Sequence, residues 1–247
     1  MRDALCIVLA RGGSKRVPRK NIRPLMGKPL VAWPVLAAKE SGLFSSIVIS
    51  TDDDEIAQAA VAAGAERPFA RPSALADDVT PTRAVLGHAL HELARHGPLP
   101  EFFCYAYGTA FLLTSTMLRK ARQLLDDKDI DGVIALAAYS HPIERAYALD
   151  GQGIAAMRHP EFLACRTQDL TPAYHDTGLM YWLRTQVFFD WQAGKKDEWR
   201  RKALLVPRMF AVDIDTEEDW QLAEIIARGL RDSTRPAELL PVLEDTR

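Results

Sequence analysis

Between Arg11 and Arg23 the sequence carries six cations, Arg11, Lys15, Arg16, Arg19, Lys20 and Arg23, interleaved with Gly12, Gly13, Ser14 and Asn21. Glycines let a backbone approach an anion closely enough for its N–H groups to bond it, while the flanking side chains neutralise its charge. This chemistry suits a triphosphate. The two familiar phosphate loops do not fit: GxxxxGK needs glycine at position 17, which is Val17, and GxGxxG needs it at 14, which is Ser14. The plainer reading, a solvated basic loop or a nucleic-acid contact, leaves the paired glycines without a purpose.

Near the other end, Val212-Asp213-Ile214-Asp215-Thr216 closes an apolar run that begins at Phe210. Read as a strand, it turns Asp213 and Asp215 to one side with their backbones roughly 7 Å apart, close enough for both to serve one hard cation. Mg²⁺ is the expected cofactor, because it takes one or two carboxylates and fills the rest of its shell with water and phosphate oxygens. The competing role for Asp215 is helix initiation beside Thr216 and Asp219.

Two further stretches are polar enough to read a ligand. Arg71-Pro72, followed by Leu75, Asp77, Asp78, Thr80 and Thr82, precedes a helix that carries His88; its plainer reading is a loop before a helix start. His88, His91 and His96 lack acidic or cysteine partners at ligand spacing and read as packing or surface residues. Cys165 to Gly178 crowds Arg166, Gln168, Tyr174, His175 and Asp176 into one irregular stretch, which suits a carboxylate clamp with hydroxyl readers. A dimer contact is the rival use of that loop.

These groups need a scaffold. Ala4 to Ala10 is an unbroken apolar run ended by glycines, as a buried parallel strand requires. A helix is expected over Pro29 to Ala38, bent at Pro34, then a strand at Ser46 to Ser50 and a helix capped by Thr51-Asp-Asp-Asp-Glu and running to Ala63. Strand, helix and strand follow at Phe102 to Tyr107, Ser115 to Leu125 and Gly132 to Ala138. Alternation at this spacing predicts an α/β fold with a mostly parallel sheet covered by helices on both faces. From 138 to 182 the pattern breaks into short segments, an expected hairpin excursion. Strands at Leu204 to Val206 and Phe210 to Asp215 then lead into a final helix.

The 247 residues carry 31 Lys plus Arg against 33 Asp plus Glu, a formal charge of −2, and 48% are apolar. Such balance argues against nucleic-acid packaging and membrane coating, and the composition is that of one globular domain over 1–247. No run approaches the roughly 18 apolar residues a membrane helix needs, and the first is too short and wrongly flanked for a signal-peptide core. The odd, scattered Cys6, Cys104 and Cys165 are expected as reduced thiols, hence a cytoplasmic chain.

Taken in order, these stretches resemble the acylneuraminate cytidylyltransferase family. The resemblance rests on Ala10-Arg11-x-x-Ser14-Lys15 with Pro18 and Lys20-Asn21, on Ser50-Thr51-Asp52-Asp53, on Arg71-Pro72 and on Asp213-Ile-Asp215. Arg166 to Asp176, with Gly178 and Tyr181-Trp182, is most similar to the pseudaminic acid branch; Phe111 stands where the family pattern carries proline. The resemblance implies a Rossmann-like nucleotidyltransferase sheet and the reaction of CTP with a nine-carbon sugar acid to give CMP-sugar and pyrophosphate. By position, Arg11, Gly12, Gly13, Ser14, Lys15 and Lys20 would hold the triphosphate, Asn21 and Arg71 the cytidine end, and Thr82 a phosphate oxygen. Asp213 and Asp215 would bind Mg²⁺ and, with Arg11 and Lys20, form the catalytic set. Tyr107, Arg166, Gln168, Tyr174, His175 and Asp176 would face the sugar. The metal is the first choice for activating the attacking hydroxyl and His175 the second. Sialic, legionaminic or 3-deoxy-manno-octulosonic acid as acceptor, a glycosyltransferase-like relative and a non-catalytic nucleotide binder remain alternatives. The apolar Leu179, Met180, Tyr181 and Trp182 at the exit of the excursion suggest a homodimer.

Overall fold

In a computed structural model, which describes residues 4–232, the chain builds one six-stranded sheet. β1 (Ala4–Leu9) lies deep within it and all six of its residues are buried, as its unbroken apolar run predicts. Successive side chains go to opposite faces. Cys6 and Val8 join the larger core cluster, and Leu5, Ile7 and Leu9 join a smaller one behind the sheet.

The expected helix from Pro29 begins later. A small hairpin, β2 (Pro24–Leu25) with β3 (Lys28–Pro29), turns at Met26 and Gly27, both at positive φ, as a two-residue hairpin loop demands. α1 (Ala32–Ser41) follows, and Pro34 sits in its first turn, where a missing N–H removes no helical bond and no bend is called for. β4 (Phe44–Ser50) and α2 (Asp54–Ala63) stand close to expectation, with the Asp53 carboxylate capping α2 by accepting from the N–H groups of Glu55 (2.9 Å) and Ile56 (3.0 Å). α3 (Thr82–Ala94), β5 (Phe102–Tyr107), α4 (Ser115–Leu124) and β6 (Gly132–Ala138) continue the alternation. Phe111, at 7% exposure, points into the larger core.

The excursion is shorter than the sequence suggests. It holds a hairpin of β7 (Tyr147–Leu149) and β8 (Ala155–Met157), but Tyr174–Arg184 is β9, an eleven-residue strand running antiparallel between β5 and β6. Leu179, Met180 and Trp182 are therefore buried in the chain's own core, Trp182 stacking on Phe44 at 5.3 Å, and are not free for a partner. α5 (Thr185–Gln192) and β10 (Arg201–Leu205) complete the sheet in the order β10-β6-β9-β5-β1-β4, with every pairing parallel except the two made by β9.

Phe210 to Asp215, expected as a strand, stays out of the sheet. Val206 still bonds Leu136, but Pro207 has no N–H to extend the ladder, and a 3₁₀ turn at Arg208–Phe210 carries the chain across the carboxyl edge. Ile214 is driven into the core, and α6 (Glu217–Asp232) begins with the expected reciprocal cap. The Thr216 hydroxyl accepts from Asp219 N (3.2 Å), and the Asp219 carboxylate accepts from Thr216 N (2.7 Å). Burial pushes the Cys6 thiol up to about 12 and also raises the adjoining Cys104 thiol well above its ordinary value, so both are inert packing residues.

Candidate active site

The carboxyl ends of β1, β4 and β5 meet at one edge, tied by Ala10 N donating to Ser50 O (3.2 Å) and Gly108 N donating to Leu9 O (2.8 Å). Above them opens a cavity of about 380 Å³, whose lining includes Arg11, Ser14, Lys20, Asn21, Arg71, Thr82, Tyr107 and Asp213. Groups expected from distant parts of the sequence thus share one cleft. It lies where ligands of open α/β sheets bind.

The basic loop divides its cations. Arg11 Nη1 is 2.6 Å and Lys15 Nζ 2.7 Å from the two carboxylate oxygens of Asp78, on the loop before α3. Arg16 reaches Asp215 at 2.9 Å, while Arg19 turns outward to Asp53 (2.8 Å) and Glu55 (2.6 Å) on α2. The Gly12 N–H, expected to face the ligand, donates instead to Asp52 Oδ1 at 3.1 Å. Its missing side chain serves a close approach: a Cβ there would lie 2.8 Å from Asp53 Oδ2. Gly13 has open space around it, and Ser14 lines the cavity.

Lys20 is the second cation to meet the acidic segment. Its ammonium donates to the Ile214 carbonyl and lies 3.4 Å from Asp215 Oδ1. Asp215 therefore has two cationic partners, whereas Asp213 makes no ion pair among the described residues and faces the cavity. Burial, then the neighbouring Asp215 carboxylate, raise the Asp213 pKa above the ordinary aspartate value, with Lys20 opposing them. A carboxylate so placed lacks compensating positive charge, and this donor set fits a divalent cation that finds its remaining ligands on a substrate. Among the described residues no group of three or more His, Cys, Asp and Glu side chains could hold a metal without such help.

Arg71 underlies the cleft at 6% exposure, its Nε donating to Ser50 Oγ (3.2 Å) and its Nη2 to the Ser50 carbonyl. Burial pulls its pKa down to about 10, against the attraction of Asp52, and it stays charged at neutral pH. Asn21 donates from Nδ2 to Arg11 O at 2.9 Å, which holds the turn of the basic loop. The Thr82 and Tyr107 hydroxyls are 3.1 Å apart across the cavity wall.

The excursion residues are gathered less closely. Arg166 is spent on Asp169 of its own turn (2.7 and 3.1 Å), and neither Arg166 nor Gln168 lines the cavity. The Tyr139 and His175 rings lie 4.9 Å apart, and His175 Nδ1 is 3.0 Å from the Asp176 carbonyl. Asp176 is fixed by the Tyr181 hydroxyl (2.7 Å) and Gly178 N (2.9 Å), and its charge helps to raise the Tyr107 pKa behind the larger effect of burial. Tyr174 is exposed at the start of β9.

Asp77 and Asp78, from the stretch after Arg71-Pro72 that reads as a candidate ligand contact, line the walls, and the structure adds Gly108 and Thr109. Gly108 had a legible signal, a glycine directly after a buried strand. A Cβ there would lie 2.5 Å from Asn21 Oδ1 and 2.9 Å from the Ala10 Cβ.

A family model described as cytidylyltransferase matches residues 5–194, a range that ends before Asp213. A pseudaminic acid cytidylyltransferase of Campylobacter jejuni is 36% identical over 228 residues, covering 90% of this chain and 95% of that protein. An N-acylneuraminate cytidylyltransferase A of Danio rerio is 29% identical over 227 residues, 90% of this chain but 50% of that one. Among solved structures, a CMP:2-keto-3-deoxy-manno-octonic acid synthetase complexed with CTP superposes with a TM-score of 0.66 at 16% identity, over 93% of this chain and 99% of that one. At that identity the likeness speaks for the fold.

Proposed function

The chain belongs to the cytidylyltransferase family, and from that premise we propose that it transfers the cytidylyl group of CTP to pseudaminic acid, giving CMP-pseudaminic acid and pyrophosphate. The observation that carries the reading is the convergence of Arg11, Lys20 and Asp213, from opposite ends of the sequence, on one cavity. The 36% identity to a pseudaminic acid enzyme across nearly both whole chains selects the acceptor.

In the transfer, the anomeric hydroxyl oxygen attacks the α-phosphorus and gives up its proton to solvent, the bond from that phosphorus to the β-phosphate bridging oxygen breaks, and pyrophosphate leaves. Positioning and charge neutralisation supply most of the catalysis in such a step. Arg11 and Lys20 meet the phosphates, with Lys15 at the mouth once Asp78 gives way to them. Arg71 adds a buried positive charge beneath the nucleotide, and Asn21 and Thr82 orient it. Asp213, with Asp215 beside it, would hold Mg²⁺, which supplies positive charge to the reacting and departing oxygens. Tyr107 and Asp176 face the sugar side. Arg166 and Gln168 reach the ligand only if the excursion moves.

A homodimer accords with the excursion surface, where Tyr139, Ile143, Tyr147, Leu149, Ile154 and Leu163 are all exposed by 45% or more. A cytoplasmic site of action accords with cysteines left as free thiols, and no helix among the described residues is long and apolar enough to cross a membrane.

The deciding experiment incubates the protein with CTP, Mg²⁺ and, separately, pseudaminic, sialic, legionaminic and 3-deoxy-manno-octulosonic acids while following pyrophosphate. Release with pseudaminic acid at a kcat/KM well above the others is expected. Release with a different acid moves the acceptor, and no release with any acid defeats the reading.

A further inference from the structure

The basic loop and the acidic segment lie at opposite ends of the chain, and the strand ladder does not join them. On the basic side, Arg19–Arg23 forms a tight turn closed by Ile22 N and Arg23 N donating to Arg19 O, both at 3.0 Å, with Arg19 itself at φ 58°. Residues three apart on such a turn share a side. Lys20 points from it to Ile214 O and Asp215, and Arg23 points to the first turn of α6.

Arg23 makes a fork there. Its Nη1 and Nη2 donate to the two carboxylate oxygens of Glu217, each at 2.7 Å, and its guanidinium carbon lies 4.1 Å from the centroid of the Trp220 ring. Trp220 is 1% exposed and donates to Glu224 from Nε1 at 3.2 Å, so the platform under the guanidinium is fixed. The reciprocal cap of Thr216 and Asp219 holds Thr216, the one residue between Asp215 and Glu217, in register, with Asp215 N donating to Asp219 Oδ2 at 3.0 Å.

We propose that Arg23, through its fork on Glu217 and its stacking on Trp220, is a positioning residue that sets the spacing between Lys20 and the Asp213–Asp215 segment. It touches no substrate and acts through Lys20, three residues back on the same turn. This rests on the cytidylyltransferase reading of the cleft. Arginine is the residue suited to the task, because lysine has neither the planar fork nor the flat face. A loosened latch leaves both charged groups present but misplaced, a defect felt in the transfer step more than in nucleotide binding.

The test measures kcat, KM for CTP and Tm for the wild type, R23K, E217Q and the R23K/E217Q double variant, by pyrophosphate release with CTP, Mg²⁺ and pseudaminic acid. Each single variant is expected to lose about 10- to 100-fold in kcat with KM for CTP changed by no more than about threefold, and the double variant to be no worse than the poorer single. E217Q keeps the stack on Trp220 and carries the test if R23K fails to fold. Wild-type kcat in E217Q, a fall in Tm with kcat intact, or losses that multiply in the double variant overturn the proposal alone. A wild type that releases no pyrophosphate with any acid removes the functional reading and this inference with it.

Discussion

Arg71 and Ser50 are bonded twice under the floor of the cleft, Nε to Oγ at 3.2 Å and Nη2 to the backbone carbonyl, with the guanidinium almost fully enclosed. A cation buried against neutral acceptors is costly to hold, and it contributes its charge to whatever binds above it. R71K, which cannot satisfy both acceptors in the same plane, is expected to lose about 2–4 kcal/mol of stability and at least tenfold in CTP affinity. S50A removes only the hydroxyl contact and is expected to cost about 1 kcal/mol. Urea unfolding and calorimetric titration with CTP measure both; R71K with wild-type affinity would show that the charge does not reach the nucleotide.

Asp213 gives a pH and metal signature. Its pKa is raised in the folded chain, so between the unfolded and folded values the native state holds the extra proton and stability falls as pH rises through that window. At neutral pH, D213N is therefore expected to raise the Tm of the metal-free protein, by about 1–2 °C once solvent screening is allowed for, while abolishing turnover. Mg²⁺ added to the CTP-bound protein should raise the wild-type Tm further by linkage and leave that of CTP-bound D213N unmoved. In the wild type the acid limb of the rate profile should lie above the ordinary aspartate range, because the carboxylate must be ionised to bind the cation. Equal responses of CTP-bound D213N and wild type to Mg²⁺ would remove the metal assignment.

Lys20 is held to a backbone carbonyl and a carboxylate, and is therefore preorganised before any phosphate arrives. K20Q is expected to lower kcat about 10²–10³-fold, the effect of deleting one fixed charge-stabilising donor. Steady-state rates at saturating CTP read it directly, and a loss confined to KM would mean that Lys20 binds ground state and transition state alike.

G108A tests the close approach of β5 to the basic loop. With Asn21 Oδ1 2.5 Å from the new Cβ, the Asn21 side chain must move, and with it the Arg11 carbonyl it holds at 2.9 Å. About 1–3 kcal/mol of destabilisation and weaker CTP binding are expected, by denaturant titration and calorimetry. An unchanged affinity would separate Asn21 from the nucleotide.

The excursion surface predicts self-association. Leu149 at 70% and Leu163 at 66% exposure are each expected, as L149D or L163D, to convert a dimer to a monomer in sedimentation at micromolar concentration. A wild-type monomer there would leave the patch without a second copy as its occupant.

Local patterns in the sequence determined most of the elements. The unbroken run of β1, the alternation of strands and helices, the cap of α6 and the glycine-bearing cationic loop are readable because each depends on residues within a few positions of one another. The excursion boundary and the end of the last strand are not legible for the same reason. Whether Tyr174–Arg184 leaves the sheet or enters it is decided by β5 and β6, which offer it a slot between them, and Pro207 ends a ladder whose partner lies seventy residues away in β6. Partner choice likewise lay beyond the pattern. Six cations within thirteen residues look equivalent, but the fold sends Arg19 to α2, Arg23 to α6 and Arg11 and Lys20 to the cleft, because only the packing of α2 and α6 against the loop determines which carboxylate each side chain meets.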